Sequence, residues 1–123
     1  MEHQDHDPLT QRVIGCALTV SNTLGAGFLE KAYENAPVHE LRKNRVRVEQ
    51  QYPVTVRYDG AIVGDFIVDL LVEDTLLVEL KAVKVLDNLH TAQCLNYLKA
   101  TGLRTCLLRN FGRPKMDVTR FSL

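Results

Sequence analysis

The first part of the chain repeats its apolar positions with the period of an α-helix. Apolar or small residues recur every three or four positions between residues 9 and 24, which predicts a helix that buries one face. The run Gly25-Ala26-Gly27 ends this helix, and a second helix is predicted from about Phe28 to Lys43. Pro37 lies inside the second span, and we expect a kink or a break there because proline lacks the N–H that a helix needs.

From residue 46 onward the pattern is that of extended chain. Short apolar runs between turn residues predict six strands, at 46–51, 54–58, 62–72, 76–83, 103–108 and 116–123. Asp59-Gly60 is a strong hairpin turn. Asp87 is expected to cap a third helix, from about Asn88 to Ala100, which Gly102 ends. The two strands that flank this helix should lie parallel, with a right-handed crossover.

These elements predict one α/β (α+β) domain. The 123 residues suffice for a single modest core, so we assign residues 9–123 to the domain and expect residues 1–8 to form a disordered tail. No apolar run is long enough to span a bilayer, and the acidic N-terminus is unlike a secretory signal. We therefore expect a cytoplasmic protein with no membrane contact. The three cysteines are widely spaced, which argues against a disulfide framework or a structural zinc site.

The formal net charge is zero, but the charge is unevenly distributed. Residues 1–80 contain 7 basic and 13 acidic residues, whereas residues 81–123 contain 8 basic and 2 acidic residues. This asymmetry indicates either a basic binding surface or charge pairing within one compact domain. Five basic residues of the second segment form either a phosphate-binding rim or a solvated edge: Arg104, Arg109, Arg113, Lys115 and Arg120.

Two carboxylates are predicted to face each other inside an apolar hairpin. If the turn is centred on Asp74, Asp69 lies opposite Glu79, and Lys81 points to the same face as Glu79. Opposed like charges are destabilising, and buried charge is costly unless it is paired or bound to metal. The pair is therefore either a structural ion cluster with Lys81 or a site for a divalent cation. Oxygen ligands of this kind suit Mg²⁺ or Mn²⁺.

Asp69, followed after nine residues by Glu79-Leu80-Lys81, resembles the PD-(D/E)XK signature of restriction-endonuclease-like nucleases. Further segments resemble the GxxExxY family, which is regarded as a branch of that superfamily. They are residues 24–33 (with Gly27, Glu30 and Tyr33 in place), 78–83, 90–102 and 107–112. The similarity runs in the same order over residues 9–122. It implies a restriction-endonuclease-like core in which helices flank a mixed central sheet.

The resemblance also implies a function, the metal-dependent hydrolysis of phosphodiester bonds in DNA or RNA. It assigns the Mg²⁺ or Mn²⁺ ligands to Asp69, Glu79 and Glu30. It assigns the catalytic roles to Asp69, Glu79, Lys81 and Gln93, with Lys81 orienting or deprotonating the attacking water and Gln93 orienting the site or contacting substrate. The residues expected to bind substrate are Tyr33, His90 and Tyr97.

The sequence departs from the family pattern at Phe66-Ile67, where Tyr-Arg is common. Position 67 shares a face with Asp69, so a cation expected near the substrate phosphate is missing. This departure motivates a second hypothesis, a non-catalytic domain that binds nucleic acid or a protein partner, with a homo-oligomer also open. Structural roles stay open as well for Glu30 as a helix-start acid, Tyr33 as a core aromatic and His90 as a local cap.

Overall fold

The structure is a computed structural model that describes residues 7–113 and 115–123. Its helices are α1 (Pro8–Leu24), α2 (Glu30–Lys43) and α3 (Asn88–Thr101). Its strands are β1 (Val48–Tyr58), β2 (Ala61–Val72), β3 (Leu76–Lys81), β4 (Thr105–Asn110) and β5 (Asp117–Ser122). The strands form one sheet in the order β1-β2-β3-β4-β5, in which β3 and β4 are parallel and the other pairs antiparallel. The mixed sheet predicted from the sequence, including the parallel pair around α3, is confirmed.

Helix α1 begins earlier than predicted, because Pro8 and Asp7 form its N-terminus. Pro8 is the first helical residue, and the Asp7 side chain accepts a hydrogen bond from the backbone N–H of Leu9 (3.1 Å). Two residues of the expected tail therefore take part in the fold, and residues 1–6 lie outside the described residues. No helix in the described part of the chain is both long and apolar enough to cross a membrane.

Helix α2 continues on both sides of Pro37, so the predicted break is absent. A proline inside a helix costs about 3 kcal/mol. The buried face of the helix, which includes Tyr33, Pro37 and Leu41, offsets this cost.

The strands predicted at 46–51 and 54–58 are one continuous strand, β1. Pro53 lies inside it and pairs with Ile67 of β2. Since β1 is at the edge of the sheet, it has only one neighbour and tolerates a residue that lacks an N–H. Strand β3 ends at Lys81, two residues earlier than predicted.

The β2–β3 hairpin has the predicted register. Its ladder pairs Leu70 with Val78, Leu71 with Leu77 and Val72 with Leu76. Glu73 and Asp74 form the turn with left-handed φ values of 51° and 58°. Extending this register by one pair places Asp69 opposite Glu79.

Hydrophobic clusters cover both faces of the sheet. Helices α1 and α2 pack on one face and α3 on the other. Leu70 belongs to the first cluster, whereas Val68 belongs to the second. Residues two apart in a regular strand share a face, so β2 is distorted at Asp69. Gln51, which lies across from Asp69 on β1, has a left-handed φ of 56°.

Candidate metal and nucleic-acid site

The backbone ladder between β2 and β3 stops before Asp69 and Glu79. The side chains of these two residues connect the strands there instead. The backbone N–H of Asp69 donates to Glu79 Oε1 (2.9 Å), and the backbone N–H of Leu80 donates to Asp69 Oδ2 (2.8 Å). A carboxylate accepts about four hydrogen bonds. Each carboxylate therefore keeps acceptor positions for water or a cation after these contacts.

Burial makes the charged form of this acid pair costly. Glu79 is 4% exposed. Burial, and then the charge of Asp69, raise the pKa of Glu79 to about 7. Burial also raises the pKa of Asp69, against the opposing effect of its hydrogen bond from Leu80. The positive charge of Lys81 lowers the pKa of both groups. Because metal ligands must be deprotonated, a bound divalent cation would compete with protons here.

We expect the metal-free protein to lose stability as the pH rises from about 4.5 to about 7. The folded-state pKa of Glu79, about 7, lies above its ordinary value of 4.5, so the native state binds this proton more tightly than the unfolded state does. The stabilisation is complete below the ordinary pKa and is lost as the pH passes the folded-state pKa. Its size is on the order of 3 kcal/mol.

Urea denaturation in EDTA between pH 4 and pH 8 measures this loss. The matched control is Glu79→Gln, which keeps the shape of the side chain and removes its titration. The difference in unfolding free energy between the two proteins should change across this pH window. A constant difference between wild type and Glu79→Gln would contradict the expectation.

The end of β3 is fixed by the segment Asn110-Phe111-Gly112. The backbone N–H of Phe111 donates to the carbonyl of Lys81 (2.8 Å). The Asn110 amide donates to the carbonyl of Val83 (2.8 Å) and accepts from the Val83 N–H (3.1 Å). These contacts hold the backbone on which Lys81 is mounted.

Glu30 contacts the chain that follows Lys81, and its role as a metal ligand stays a prediction. Its Oε2 accepts a hydrogen bond from the backbone N–H of Ala82 (3.1 Å). Among residues 7–113 and 115–123, no group of three or more His, Cys, Asp or Glu side chains is close enough to hold a metal ion. The structure therefore does not gather Glu30 with Asp69 and Glu79, and Glu30 positions the chain that follows Lys81.

Glu34 is an acidic residue near the pair that the sequence reasoning missed. It is 4% exposed, and its carboxylate accepts hydrogen bonds from Gln50 Nε2 (2.7 Å) and Gln51 Nε2 (2.8 Å). The Gln51 side chain also hydrogen-bonds Asp69, and the Glu34 charge raises the pKa of Asp69. Glu34 lies one helical turn after Glu30, and residues at this spacing share a helix face. That spacing was a signal that could have identified it.

A groove of about 1020 Å³ opens beside Lys81. Helix α3 lines one side of it with the predicted residues His90, Gln93 and Tyr97. His90 also completes the capping box of α3, since its Nδ1 accepts from the Asp87 N–H (3.3 Å). Burial, and then the charges of the acid pair, raise the pKa of Tyr97 to about 12. The acid pair, Lys81 and three of the predicted side chains are thus brought into one region.

Tyr33 lies in the core, which corrects its assignment as a substrate-binding residue. It is fully buried, and its ring stacks on Phe111 with centroids 4.6 Å apart. Its hydroxyl donates to the carbonyl of Gly25 (2.6 Å) and accepts from the N–H of Phe28 (3.0 Å). These two hydrogen bonds fix the connection between α1 and α2. A fully buried ring is not placed to touch substrate.

Arg109 does not belong to an exposed phosphate-binding rim. It is fully buried, and desolvation lowers its pKa to about 10. Its guanidinium lies 5.7 Å from the ring centroid of Phe111 and has no hydrogen-bond acceptor among the described residues. The charge of Asp69 opposes this effect of desolvation and favours the charged form of Arg109.

Two solved structures share this fold. SSO0001 matches with a TM-score of 0.60 and 11% identity, covering 96% of this chain and 60% of that one. The alkaline exonuclease LHK-Exo from Laribacter hongkongensis matches with a TM-score of 0.54 and 16% identity, covering 75% of this chain and 55% of that one. The chain thus spans somewhat more than half the length of each, and at these identities the likeness is one of fold.

The family assignment comes from the sequence of nearly the whole chain. Residues 7–121 match the PD-(D/E)XK nuclease superfamily, whereas no curated protein matches. This match confirms the superfamily predicted from Asp69, Glu79 and Lys81, and membership of the GxxExxY family stays a prediction. The chain belongs to the PD-(D/E)XK nuclease superfamily.

Proposed function

We propose that the protein is a divalent-metal-dependent nuclease that hydrolyses phosphodiester bonds in DNA or RNA. The observation that carries the proposal is the opposed acid pair, Asp69 and Glu79, next to Lys81 at the side of a large groove. The superfamily and the likeness of the fold to an alkaline exonuclease support it. A cytoplasmic location stays a prediction from the sequence.

The acid pair fits Mg²⁺ or Mn²⁺ by the chemistry of its donors. Both side chains offer hard oxygen atoms, and in their ionised forms Asp69 and Glu79 would carry two negative charges that are costly without a cation. Mg²⁺ commonly takes only one or two protein carboxylates, and water and substrate phosphates complete its shell. The pair is therefore sufficient without Glu30. When bound, such an ion supplies positive charge that stabilises the phosphoryl oxygens during hydrolysis.

The remaining roles follow from the position of each side chain around the groove. Lys81 is half-buried and close enough to lower the pKa of both carboxylates. It is therefore suited to orient or deprotonate the attacking water and to offset phosphate charge. The Gln93 amide faces the same groove and offers donors for a phosphate oxygen. Tyr97 and His90 line the groove as substrate contacts, and His90 also caps α3.

Calorimetric titration with Mn²⁺ and a cleavage assay on DNA and RNA substrates test the proposal together. We expect wild type to bind Mn²⁺ and to cleave at least one substrate, with both properties lost in Asp69→Asn. EDTA should stop cleavage by wild type. The matched control is Asp65→Asn, which makes the same change at an exposed position of the same strand and should retain both properties.

One feature of the site favours a second candidate, a non-catalytic domain that binds nucleic acid or a protein partner. Ile67 is 55% exposed and supplies no positive charge on the strand that carries Asp69. Salt-dependent binding of nucleic acid without hydrolysis, in the presence of Mn²⁺, would favour this candidate over the nuclease. Recovery of a protein partner or of a homo-oligomer, with no nucleic-acid binding, would favour a domain that binds protein.

A further inference from the structure

We infer that the groove beside Lys81 binds single-stranded nucleic acid and that one base stacks on Phe66. This inference rests on the proposed function and names the substrate class. Phe66 lines the groove and is 47% exposed, although its side chain is wholly apolar. An aromatic ring that is open to solvent inside a charged groove is the usual platform for an unpaired base.

The Phe66 ring lies against two neighbours within the protein. A Cβ atom added at Gly64 would lie 2.9 Å from Phe66 Cε2, which shows that the ring rests over this glycine. The ring centroid also lies 6.4 Å from that of Tyr97, with the planes 54° apart. Stacking a base on a ring that is already oriented costs little side-chain entropy.

The charges around the ring suit a phosphate backbone. Arg57, Lys81 and Lys99 line the groove, against a single acid among its lining residues, Asp87. The Asp87 carboxylate already accepts hydrogen bonds from the N–H groups of Leu89 (2.9 Å) and of the following residue at the start of α3. The groove therefore offers three cations to the phosphates of a strand whose base stacks on Phe66.

The size of the groove favours an unpaired strand over a duplex. Its volume of about 1020 Å³ is close to the upper end of the range for small-molecule sites, about 300–1,000 Å³. Such a space holds a few nucleotides. Inside a duplex each base face is covered by its neighbours, so Phe66 could stack only on a base that has left the helix or on the outer face of a terminal pair. Stacking reads no base edges, and we therefore expect weak sequence preference.

Fluorescence anisotropy in EDTA tests the inference without cleavage. The probes are labelled single strands of DNA and of RNA, about 12 nucleotides long, and a DNA duplex of the same length. We expect wild type to bind at least one single strand more tightly than the duplex. Phe66→Ala should weaken that binding by about tenfold, and Phe66→Trp should retain it. The matched control is Val63→Ala, a change at an exposed apolar position of the same strand outside the groove lining, and this variant should bind as wild type does.

Tighter binding of the duplex, or equal losses in Phe66→Ala and Val63→Ala, would overturn the inference. Stacking would also be contradicted if neither Phe66→Trp nor Phe66→Ala binds, with both variants folded by circular dichroism.

If Phe66-dependent binding is found without metal-dependent cleavage of any substrate, the nuclease proposal fails and this inference stands. If a duplex is cleaved by wild type and by Phe66→Ala alike, the inference fails and the nuclease proposal stands. The two single-stranded probes separate a DNA ligand from an RNA ligand.

Discussion

Replacing Lys81 by methionine should reduce kcat for nucleic-acid cleavage by about 10²–10⁴-fold without abolishing metal binding. Lys81 is the cation that lowers the pKa of both Asp69 and Glu79, and it lines the groove where the phosphate would lie. Methionine keeps an unbranched stem of similar length and removes only the ammonium group. Because a positive charge next to a cation site repels the cation, Mn²⁺ should bind Lys81→Met at least as tightly as wild type.

Single-turnover cleavage and calorimetric Mn²⁺ titration separate these two effects. Lys84→Met is the matched control, since it removes the same charge three residues later, at an exposed position that does not line the groove. This control should cleave as wild type does. Equal losses in the two variants would show that only net charge matters. A Lys81→Met protein that neither binds Mn²⁺ nor cleaves would show that Lys81 acts on the metal site itself.

The second large effect concerns stability: Gly112→Ala should lower the free energy of unfolding by about 3 kcal/mol. An added Cβ would lie 2.3 Å from the carbonyl oxygen of Val83, 2.4 Å from its nitrogen and 2.6 Å from its carbonyl carbon. These are backbone atoms, and the Asn110 side chain holds them with two hydrogen bonds. The chain after Lys81 must therefore move, and cleavage should fall even at temperatures where the variant is folded.

Urea denaturation at pH 7 measures this loss. Gly15→Ala is the control, because Gly15 is exposed in the middle of α1 and an added Cβ meets nothing within 4 Å. Alanine is the better helix former, so Gly15→Ala should raise the unfolding free energy by roughly 0.5–1 kcal/mol. A Gly112→Ala protein as stable as wild type would mean that Gly112 and the backbone of Val83 are not in close contact.

The acid pair could be predicted because an antiparallel hairpin with a short turn has few possible registers. Placing Asp74 in the turn opposes Asp69 and Glu79 by counting alone, and alternation puts Lys81 beside them. The ladder from Leu70–Val78 to Val72–Leu76 has the predicted register. The helices and the parallel pair around α3 were predictable for the same reason, since their signals lie within one element or one crossover.

Local reasoning failed where a side chain depends on a distant partner. The Glu30 carboxylate accepts a hydrogen bond from Ala82, 52 residues away in sequence. The hydroxyl of Tyr33 makes hydrogen bonds to two backbone groups of the α1–α2 connection. The Glu34 carboxylate accepts hydrogen bonds from the side-chain amides of Gln50 and Gln51 on β1. Gln51 has a left-handed backbone, which no local sequence motif predicts. Pairing across such distances depends on how helices pack against the sheet, which periodicity does not encode.

The sequence by itself determined most of the elements, the hairpin register and therefore the opposition of Asp69 and Glu79, because these depend on spacing along one stretch of chain. Only the tertiary structure decided which acids stay with the pair, where Arg109 is buried and that Phe66 lies open in a groove formed with α3. The physical reason is that burial and long-range hydrogen bonds depend on the packing of whole elements. The desolvation cost of a charged side chain depends on how completely the packed elements exclude water from it.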